Sequence, residues 1–407
     1  MSEPVRIGLL GRGTVGGAVC DLLEERADAI REAAGRPMEL AGVLTTSQGD
    51  FDSILADSDL IVELMGGTDD ARRYVLAALE AGKPVVTANK QLLAQHGDEL
   101  FAAAEASGVE IRFEAAVAGV VPIIRTATEA FGSVPFTRVF GIVNGTTNFI
   151  LSEMAETGAS YDDVLARAQE LGYAEADPTE DVNGADAAAK MAILARLAFH
   201  APVTLDQVSF EGIESVQPDD LSYAKELGLS LKLLGVAEKL EGGIAVRVFP
   251  CFLYPGHPLA PIGGPFNAVT LEGPEITEVT LSGPGAGGPQ TAAAVIGDLI
   301  SIVAGNRVPR RPEGPIEILS DVESSFYLHL EVADRPGVLA EVAKSLSDAG
   351  ISVKSVVQKG IGDDARLVMV VHRCPEKEFM GVVDEIADLD YMRSRPRFIR
   401  VIEEESV

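Results

Sequence analysis

The fold is decided by one stretch near the N-terminus, Val5-Arg-Ile-Gly-Leu-Leu-Gly-Arg-Gly-Thr-Val-Gly16. Its first six residues are typical of a buried strand, and a helix is predicted from about Val15. The turn between them fits the pattern G-x-G-x-x-G, with residues Gly11, Arg12, Gly13, Thr14, Val15 and Gly16. Between a strand and a helix, such glycines permit a tight turn and the close approach of a pyrophosphate. The pattern therefore favours a dinucleotide site, and a plain tight turn is the alternative.

Strands and helices alternate along the first third of the chain. Strands are predicted at 5–10, 39–44, 60–65, 83–87 and 109–114, and helices at 15–31, 69–81 and 89–106. This alternation predicts an α/β fold with a Rossmann-type doubly wound parallel sheet, which has helices on both faces. We assign this domain to residues 1–130, completed by 288–308.

The regular alternation of strands and helices ends after residue 130, and an α+β domain is predicted over 131–287. Its strands are expected at 136–142, 208–216, 231–238 and 244–252, with helices between 148 and 200, a Pro- and Gly-rich stretch at 255–289, and a helix at 291–304. A proline-rich linker follows at 309–324, because proline prevents a helix there. Residues 325–407 show the order β-α-β-β-α-β, which predicts a ferredoxin-like domain.

The composition excludes several classes of protein. The chain has 407 residues and a formal net charge of −29, without the basic clusters that nucleic-acid binding requires. Its three cysteines are too few for a disulfide framework, which favours a reducing compartment. No stretch approaches the ~18 apolar residues of a membrane span, and no secretory leader is evident. We therefore expect a cytoplasmic protein that binds neither nucleic acid nor membrane.

The preference between NADP and NAD depends on the turn after the second strand. An acidic residue there would bind the ribose hydroxyls of NAD. This chain instead has Thr45-Thr-Ser-Gln48, and Arg12 in the glycine-rich loop could contact a 2′-phosphate. These residues favour NADP, with NAD tolerated and a solvated Arg12 as the alternative.

An acid-rich segment, Gly172-Tyr-Ala-Glu-Ala-Asp-Pro-Thr-Glu-Asp-Val-Asn-Gly-Ala-Asp-Ala-Ala-Ala-Lys190, precedes an apolar helix. Asp186 and Lys190 lie four positions apart and so share a helix face. Such a pair could bind a zwitterionic amino acid and supply a general acid. The spacing by itself favours the alternative, an ordinary surface ion pair.

Together these segments resemble homoserine dehydrogenase, in its long form with a C-terminal ACT domain. The resemblance covers nearly the whole chain and includes the following motifs: Gly11–Gly16, Val62-Glu-Leu-Met-Gly-Gly67, Thr87-Ala-Asn-Lys90, Glu114-Ala-Ala-Val-Ala-Gly-Val-Val-Pro122, Gly141-Ile-Val-Asn-Gly-Thr-Thr-Asn-Phe149, the Gly172–Lys190 segment and Gly283-Pro-Gly-Ala-Gly-Gly-Pro289. It implies reversible NAD(P)H-dependent reduction of L-aspartate 4-semialdehyde to L-homoserine, on the route to threonine, methionine and isoleucine. The domain at 131–287 would then be catalytic and would also carry the dimer contacts.

The resemblance also implies roles for individual residues. Lys190 would be the acid/base, and Lys90 would be a second catalytic residue that lies beside the nicotinamide and shares the proton relay. The substrate would be bound by Glu175, Asp186, Asp181 and Glu180, and the cofactor also by Gly285 and Gly287. A structural sodium ion would lie near Glu114 and the main-chain oxygens of Val117, Gly119 and Val121. A plain turn is the alternative for that loop.

The turn Asp334-Arg-Pro-Gly337 resembles the ligand loop of ACT domains, which bind amino acids between paired copies. Threonine is the inhibitor that the resemblance implies, and a domain that only dimerises is the alternative. Deletion of 320–407 is predicted to leave catalysis but to remove threonine inhibition. A homodimer or homotetramer is expected.

Two other functions fit parts of the sequence. An aspartate dehydrogenase could use the same scaffold, although the acid-rich segment Gly172–Lys190 argues against it. An amino-acid sensor with a vestigial nucleotide fold is the non-enzymatic alternative. The presence of Lys90, Glu175, Asp186 and Lys190 favours an enzyme.

Overall fold

The N-terminal domain is a five-stranded parallel sheet with the order β2-β1-β3-β4-β5. Residues 3–306, 313–360 and 365–402 are described in this computed structural model. The strands are β1 (Val5–Leu10), β2 (Met38–Leu44), β3 (Leu60–Glu63), β4 (Val85–Thr87) and β5 (Ile111–Arg112). The order reverses between β1 and β3, so a crevice for a ligand opens at the carboxyl ends of these two strands.

Helices cover this sheet: α1 (Thr14–Glu25), α2 (Ala27–Ala34), α3 (Phe51–Asp57), α4 (Asp69–Glu80) and α5 (Lys90–Ser107). The single helix predicted at 15–31 is wrong, because Arg26 leaves helical geometry and separates α1 from α2. The break turns α2, so that Ile30 joins the apolar cluster that contains Val19 and Leu23. The strand predicted at 109–114 is also shorter, since a 3₁₀ turn begins at Glu114.

The second domain combines helices with a long antiparallel sheet. Its helices are α6 (Ile123–Arg125), α7 (Gly145–Thr157), α8 (Tyr161–Glu170), α9 (Thr179–Val182), α10 (Ala185–Phe199) and α11 (Pro218–Glu226). Helix α12 (Gly288–Val303) follows the domain. Its strands are β6 (Arg138–Ile142), β7 (Ser209–Phe210), β8 (Ser230–Leu240), β9 (Gly243–Leu253), β10 (Phe266–Gly273) and β11 (Thr277–Pro284). The hairpin of β10 and β11 was not predicted, because it lies in the Pro- and Gly-rich stretch. The strand predicted at 208–216 is only the short β7.

Two helices connect the second domain to the first. The residues of α10 are almost all buried, and the helix packs against both α5 and the strands β8 and β9. After β11 the chain returns to the first domain, where Ala292, Val295 and Leu299 of α12 share an apolar cluster with Val19 of α1. The completion of the first domain by residues 288–308 stays a prediction.

The short strand β12 (Glu317–Ile318) precedes the C-terminal domain. That domain contains β13 (Glu323–Val332), α13 (Val338–Asp348), β14 (Val353–Lys359), β15 (Ala365–Pro375), α14 (Glu376–Ala387) and β16 (Arg397–Ile402). The predicted ferredoxin-like order from β13 to β16 is confirmed. Strand β16 pairs in parallel with β9, where Val401 lies opposite Phe252. One eleven-stranded mixed sheet therefore runs through both domains.

The linker predicted at 309–324 lies partly outside the described residues, which resume at Glu313. Its described part is attached to the second domain: the Gly314 amide donates to the His200 carbonyl at 3.0 Å, and β12 pairs with β9. The predicted fold class is confirmed, and the exact domain boundaries stay a prediction. Within 3–306, 313–360 and 365–402, no helix combines the length and apolar character that crossing a bilayer requires.

Candidate active site

The glycine-rich turn lies at the crevice between β1 and β3. Gly11 has a φ of +96°, and a Cβ atom there would lie 2.4 Å from the carbonyl oxygen of Leu64, which follows β3. A Cβ on Gly16 would lie 2.1 Å from the Gly11 carbonyl oxygen. By contrast, a Cβ on Gly13 would meet no atom within 4 Å. Gly11 and Gly16 are thus required by packing, whereas Gly13 leaves open space before the first amides of α1 for an anion.

The second glycine loop, which precedes α12, packs against the first. A Cβ on Gly288 would lie 3.1 Å from the Thr14 side chain, and Gly287 is the N-cap of α12 with a φ of +127°. Gly285 approaches a third segment, since a Cβ on Gly119 would lie 2.4 Å from the Gly285 carbonyl oxygen. The structure therefore brings the predicted residues Gly285 and Gly287 to the side of the candidate nucleotide crevice.

The turn after β2 has no carboxylate at its tip. Thr45 and Gln48 form an isolated bridge, and the first acid that follows, Asp50, accepts a hydrogen bond from the Ser53 amide as the N-cap of α3. Arg12 is exposed at the start of the glycine-rich turn. The Gly11 amide donates to the Leu44 carbonyl at 2.9 Å, so the glycine-rich turn begins next to the end of β2.

The carboxyl ends of β3 and β4 are connected by hydrogen bonds around the buried Glu63 and Thr87, which the sequence did not reveal. The Thr87 hydroxyl donates to Glu63 Oε2 at 2.6 Å, and the Met65 amide donates to Glu63 Oε1 at 2.8 Å. Asn89 Nδ2 donates to the Gly67 carbonyl at 2.7 Å. Burial raises the pKa of Glu63, which is fully buried. These hydrogen bonds hold the loop after β3 and the loop after β4 in place. Lys90 directly follows the loop after β4.

The centre of the site is the buried carboxylate of Asp186. Its Oδ1 lies 2.7 Å from Lys90 Nζ and its Oδ2 lies 2.7 Å from Lys190 Nζ. Lys190 Nζ also donates to the Val143 carbonyl at 2.8 Å. The lysines remain partly open to the cleft, since 32% of the Lys90 side chain and 14% of the Lys190 side chain are exposed. The spacing predicted that Asp186 and Lys190 share a helix face, whereas the proximity of Lys90 depends on the packing of α5 against α10.

These charges determine the ionisation of the site. Burial opposes a charge on Asp186, but Lys190 and Lys90 outweigh it and hold the pKa of Asp186 well below its ordinary value. Burial also opposes a charge on Lys90, but the carboxylate of Asp186 prevails and raises the pKa of Lys90. Asp186 therefore stays ionised at neutral pH and holds two ammonium groups side by side.

Asp181 and Asn144 complete the cluster. Asn144 Nδ2 donates to Asp181 Oδ1 at 2.7 Å and to Asp186 Oδ2 at 2.8 Å. Burial raises the pKa of Asp181, and the charge of Asp186 adds to this rise. Sequence reasoning identified Asp181 but missed Asn144, although Asn144 belongs to the quoted motif Gly141–Phe149.

Glu180 and Glu175 are exposed, unlike the buried Asp186. The exposed Glu180 carboxylate accepts a hydrogen bond from Gln91 Nε2 at 3.3 Å, next to Lys90. Glu175 is also exposed, and its main-chain oxygen accepts from Gln169 at 3.1 Å. Within the described ranges the Glu175 carboxylate takes part in no hydrogen bond or ion pair. The structure thus joins Lys90, Asp181, Asp186 and Lys190, but not Glu175.

Glu114 is buried in the 3₁₀ turn that follows β5. Its two carboxylate oxygens accept hydrogen bonds from the amides of Ile124 and Arg125 at 2.8 and 2.9 Å. Burial, with the charge of Asp298, raises the pKa of Glu114 to about 7. In the part of the chain that the structure describes, no three His, Cys, Asp or Glu side chains could together hold a metal ion. The predicted sodium site is not tested by that finding, because three of its four ligands are main-chain oxygens.

The candidate regulatory turn lies at the start of α13. Gly337 is the N-cap of this helix, with a φ of +100°, and Asp334 is exposed three residues earlier. Arg335 of the same turn pairs with Asp390 at 2.7 Å. The turn is therefore open to solvent at a helix N-terminus, far along the chain from Asp186.

Three family models match the chain: homoserine dehydrogenase over residues 122–300, the homoserine dehydrogenase NAD-binding domain over 11–114, and the ACT domain over 327–390. The homoserine dehydrogenase of Mycobacterium tuberculosis is 42% identical, with 98% of each chain covered. The predicted resemblance and the ACT domain are thereby confirmed.

Solved structures agree with these matches. A homoserine dehydrogenase from Thiobacillus denitrificans is 38% identical with a TM-score of 0.94, covering 98% of this chain and 99% of that one. A hyperthermophilic archaeal homoserine dehydrogenase in complex with NADPH is 28% identical with a TM-score of 0.63, covering 76% and 99%. This chain belongs to the homoserine dehydrogenase family of oxidoreductases.

Proposed function

We propose that this protein catalyses the reversible reduction of L-aspartate 4-semialdehyde to L-homoserine, with NADPH as the preferred reductant. One observation carries the proposal: Asp186 holds Lys90 and Lys190 together at 2.7 Å each, at the end of the sheet where the glycine-rich turn lies. Two ammonium groups at one point of a cleft suit a carbonyl oxygen that gains negative charge.

The cofactor, when bound, supplies the hydride that reaches the carbonyl carbon. The chain provides the proton that the oxygen takes up, and we assign this proton to Lys190 Nζ. Lys90 would stabilise the charge that develops on the same oxygen. In the oxidative direction Lys190 accepts the hydroxyl proton of homoserine, so one residue serves both directions.

The acidic residues divide into two roles. Both oxygens of Asp186 are occupied by the lysines and Asn144, so we assign Asp186 to the positioning of Lys90 and Lys190. Asp181 is only partly buried and faces the same cluster, so we assign it to the substrate's ammonium group, with Glu180 at the rim. Glu175 would join only if the loop that carries it moves toward bound substrate.

The preference for NADP rests on the turn after β2. Residues 45–48 present hydroxyl and amide groups where a carboxylate would repel a 2′-phosphate, and Arg12 is exposed beside them. The archaeal relative that was solved with NADPH is consistent with this choice. NAD would bind more weakly, without the contact to Arg12.

A monovalent cation belongs to the same proposal. Ala118 and Gly119 both have positive φ values, 58° and 64°, which turn the chain sharply between the expected ligand oxygens. The oxygens of Glu114, Val117, Gly119 and Val121 form the all-oxygen donor set that hard cations prefer. We expect faster turnover in sodium chloride than in choline chloride at equal ionic strength.

The ACT domain would bind threonine at the turn Asp334–Gly337. The main-chain amides at the start of α13 could receive the threonine carboxylate. ACT domains bind amino acids between paired copies, so we propose a homodimer or homotetramer.

The direct test is an assay of the purified protein with homoserine and either NADP or NAD. We expect reduced cofactor to accumulate with homoserine, faster with NADP, and not with aspartate. Activity with aspartate alone would instead favour an aspartate dehydrogenase. Tight threonine binding without any turnover would favour a sensor.

A further inference from the structure

Asn144 lies between the start of α7 and the two carboxylates of the site. The residue follows β6, is only 4% exposed and is the N-cap of α7. Its Oδ1 accepts hydrogen bonds from the amide and hydroxyl of Thr147 at 2.8 and 3.0 Å. Its Nδ2 donates to Asp181 and Asp186. A single side chain thus connects a helix start to both carboxylates of the site.

The orientation of the Asn144 amide is fixed by its surroundings. A reversed amide would direct its oxygen at two carboxylates and its NH₂ group at the donating amide of Thr147. The reversal would replace the attractive contacts with both carboxylates and with the Thr147 amide by repulsive ones. Both hydrogens of Nδ2 are therefore committed to Asp181 and Asp186.

We propose that Asn144 is a positioning residue for the reaction, which clamps Asp181 beside Asp186 so that Asp181 receives the substrate's ammonium group while Asp186 keeps the two lysines. This inference rests on the proposed function. It follows from the count of partners: Asp186 Oδ2 binds Lys190 and Asn144, and Asp186 Oδ1 binds Lys90.

The hydrogen bonds from Asn144 offset the repulsion between the carboxylates of Asp181 and Asp186. Two neighbouring carboxylates repel each other, and the one with fewer partners tends to take up a proton. Of the two carboxylates, Asp181 has fewer partners. Burial and the charge of Asp186 raise the pKa of Asp181, whereas the hydrogen bond from Asn144 lowers it. Without the amide hydrogen, Asp181 would be protonated at a higher pH and would lose its attraction for an ammonium group. The other groups near Asp181 are Lys190 and Asp186 from α10, Lys90 from α5, and Thr146 and Glu180.

Two substitutions separate the clamp from the helix cap. Asn144→Ser keeps an oxygen for capping, since serine is a good N-cap residue, but its short hydroxyl cannot donate to both carboxylates. Asn144→Asp keeps both the cap oxygen and the side-chain shape, but replaces the donor with a third carboxylate. Ser160→Ala is the control, because it removes the N-cap of α8 without touching any of these acids.

The measurements are KM and kcat for homoserine as a function of pH, with NADP affinity and thermal stability determined alongside. A lost hydrogen bond to a charged group corresponds to at least about a tenfold change. We expect KM for homoserine to rise about tenfold in Asn144→Ser and further in Asn144→Asp. The acidic limb of kcat/KM should move to higher pH in both variants, with NADP affinity unchanged. Ser160→Ala should lose thermal stability but keep the wild-type pH profile.

Wild-type KM and pH profile in folded Asn144→Ser or Asn144→Asp would overturn the inference. If the serine variant does not fold, the aspartate variant decides, because it retains the cap and the volume. An inactive wild-type protein would instead contradict the proposed function, so the two failures are distinguishable.

Discussion

The carboxylate of Asp186 lies 2.7 Å from the ammonium group of Lys90, although the first residue belongs to α10 of the second domain and the other begins α5 of the first. The contact accompanies the packing of α5 against α10. The two lysines of the site therefore come from different domains and meet on one carboxylate. The contact between Lys90 and Asp186 therefore depends on how the two domains pack.

Lys190→Ala should lower kcat by about 10²–10⁴-fold, since the variant lacks the proton donor. NADP affinity should stay near the wild-type value, because no contact of Lys190 involves the glycine-rich turn. Steady-state kinetics with a separate cofactor titration would check both. Lys344→Ala on the exposed face of α13 is the control, and retention of full turnover in Lys190→Ala would remove the assigned role.

Asp186→Asn should shift the basic limb of the pH–rate profile to lower pH. In the wild type the charge of Asp186 outweighs burial and raises the pKa of Lys90. Without that charge, burial prevails and the pKa falls, so Lys90 loses its proton at a lower pH. The profile of kcat/KM would show the shift. Asp70→Asn is the control, because it breaks only an exposed ion pair with Arg73 and should leave the basic limb in place. An unchanged basic limb in Asp186→Asn would contradict the prediction.

Gly11→Ala and Gly13→Ala should have different consequences, although both lie in the same turn. The positive φ of Gly11 would cost alanine about 1–3 kcal/mol, and its Cβ would collide with Leu64. Gly11→Ala should therefore lower the melting temperature. Gly13→Ala should keep that temperature but weaken NADP binding, because its Cβ enters the open space at α1. Equal NADP affinity in Gly13→Ala and wild type would argue against a pyrophosphate there.

Asp334→Ala should abolish threonine inhibition without changing uninhibited turnover. The structure revises the prediction for deletion of 320–407: β16 pairs with β9, and Val401 belongs to the same apolar core as Phe252. Truncation would thus expose the core of the second domain as well as remove the ligand turn. A point substitution on the exposed turn separates the two effects. Inhibition curves with threonine would check it, and equal curves for Asp334→Ala and wild type would refute the assignment.

Local patterns were sufficient to predict much of the fold. The strand from Val5 and the glycine-rich turn were predictable, because alternating elements and the required glycines are properties of neighbouring residues. The β10–β11 hairpin was missed, since Pro and Gly in 255–289 hide its strands. The pairing of β9 with β16 joins residues about 150 positions apart, as Cys251 and Arg400 show, and no local pattern encodes it.

The site was predictable in part for the same reason. Asp186 and Lys190 share a helix, so their spacing indicated the pair. The resemblance pointed to Lys90, but its contact with Asp186 arises only from the packing of two domains. Asn144 was missed because a capping asparagine is common, and its second role depends on two acids that lie far along the chain.

A crystal structure with NADP and homoserine bound tests the proposed site most directly. We predict that Lys190 Nζ lies about 2.6–3.2 Å from the homoserine hydroxyl oxygen, with the ammonium group of homoserine beside Asp181. Homoserine bound with its hydroxyl beyond the reach of both Lys90 and Lys190 would contradict the assignment.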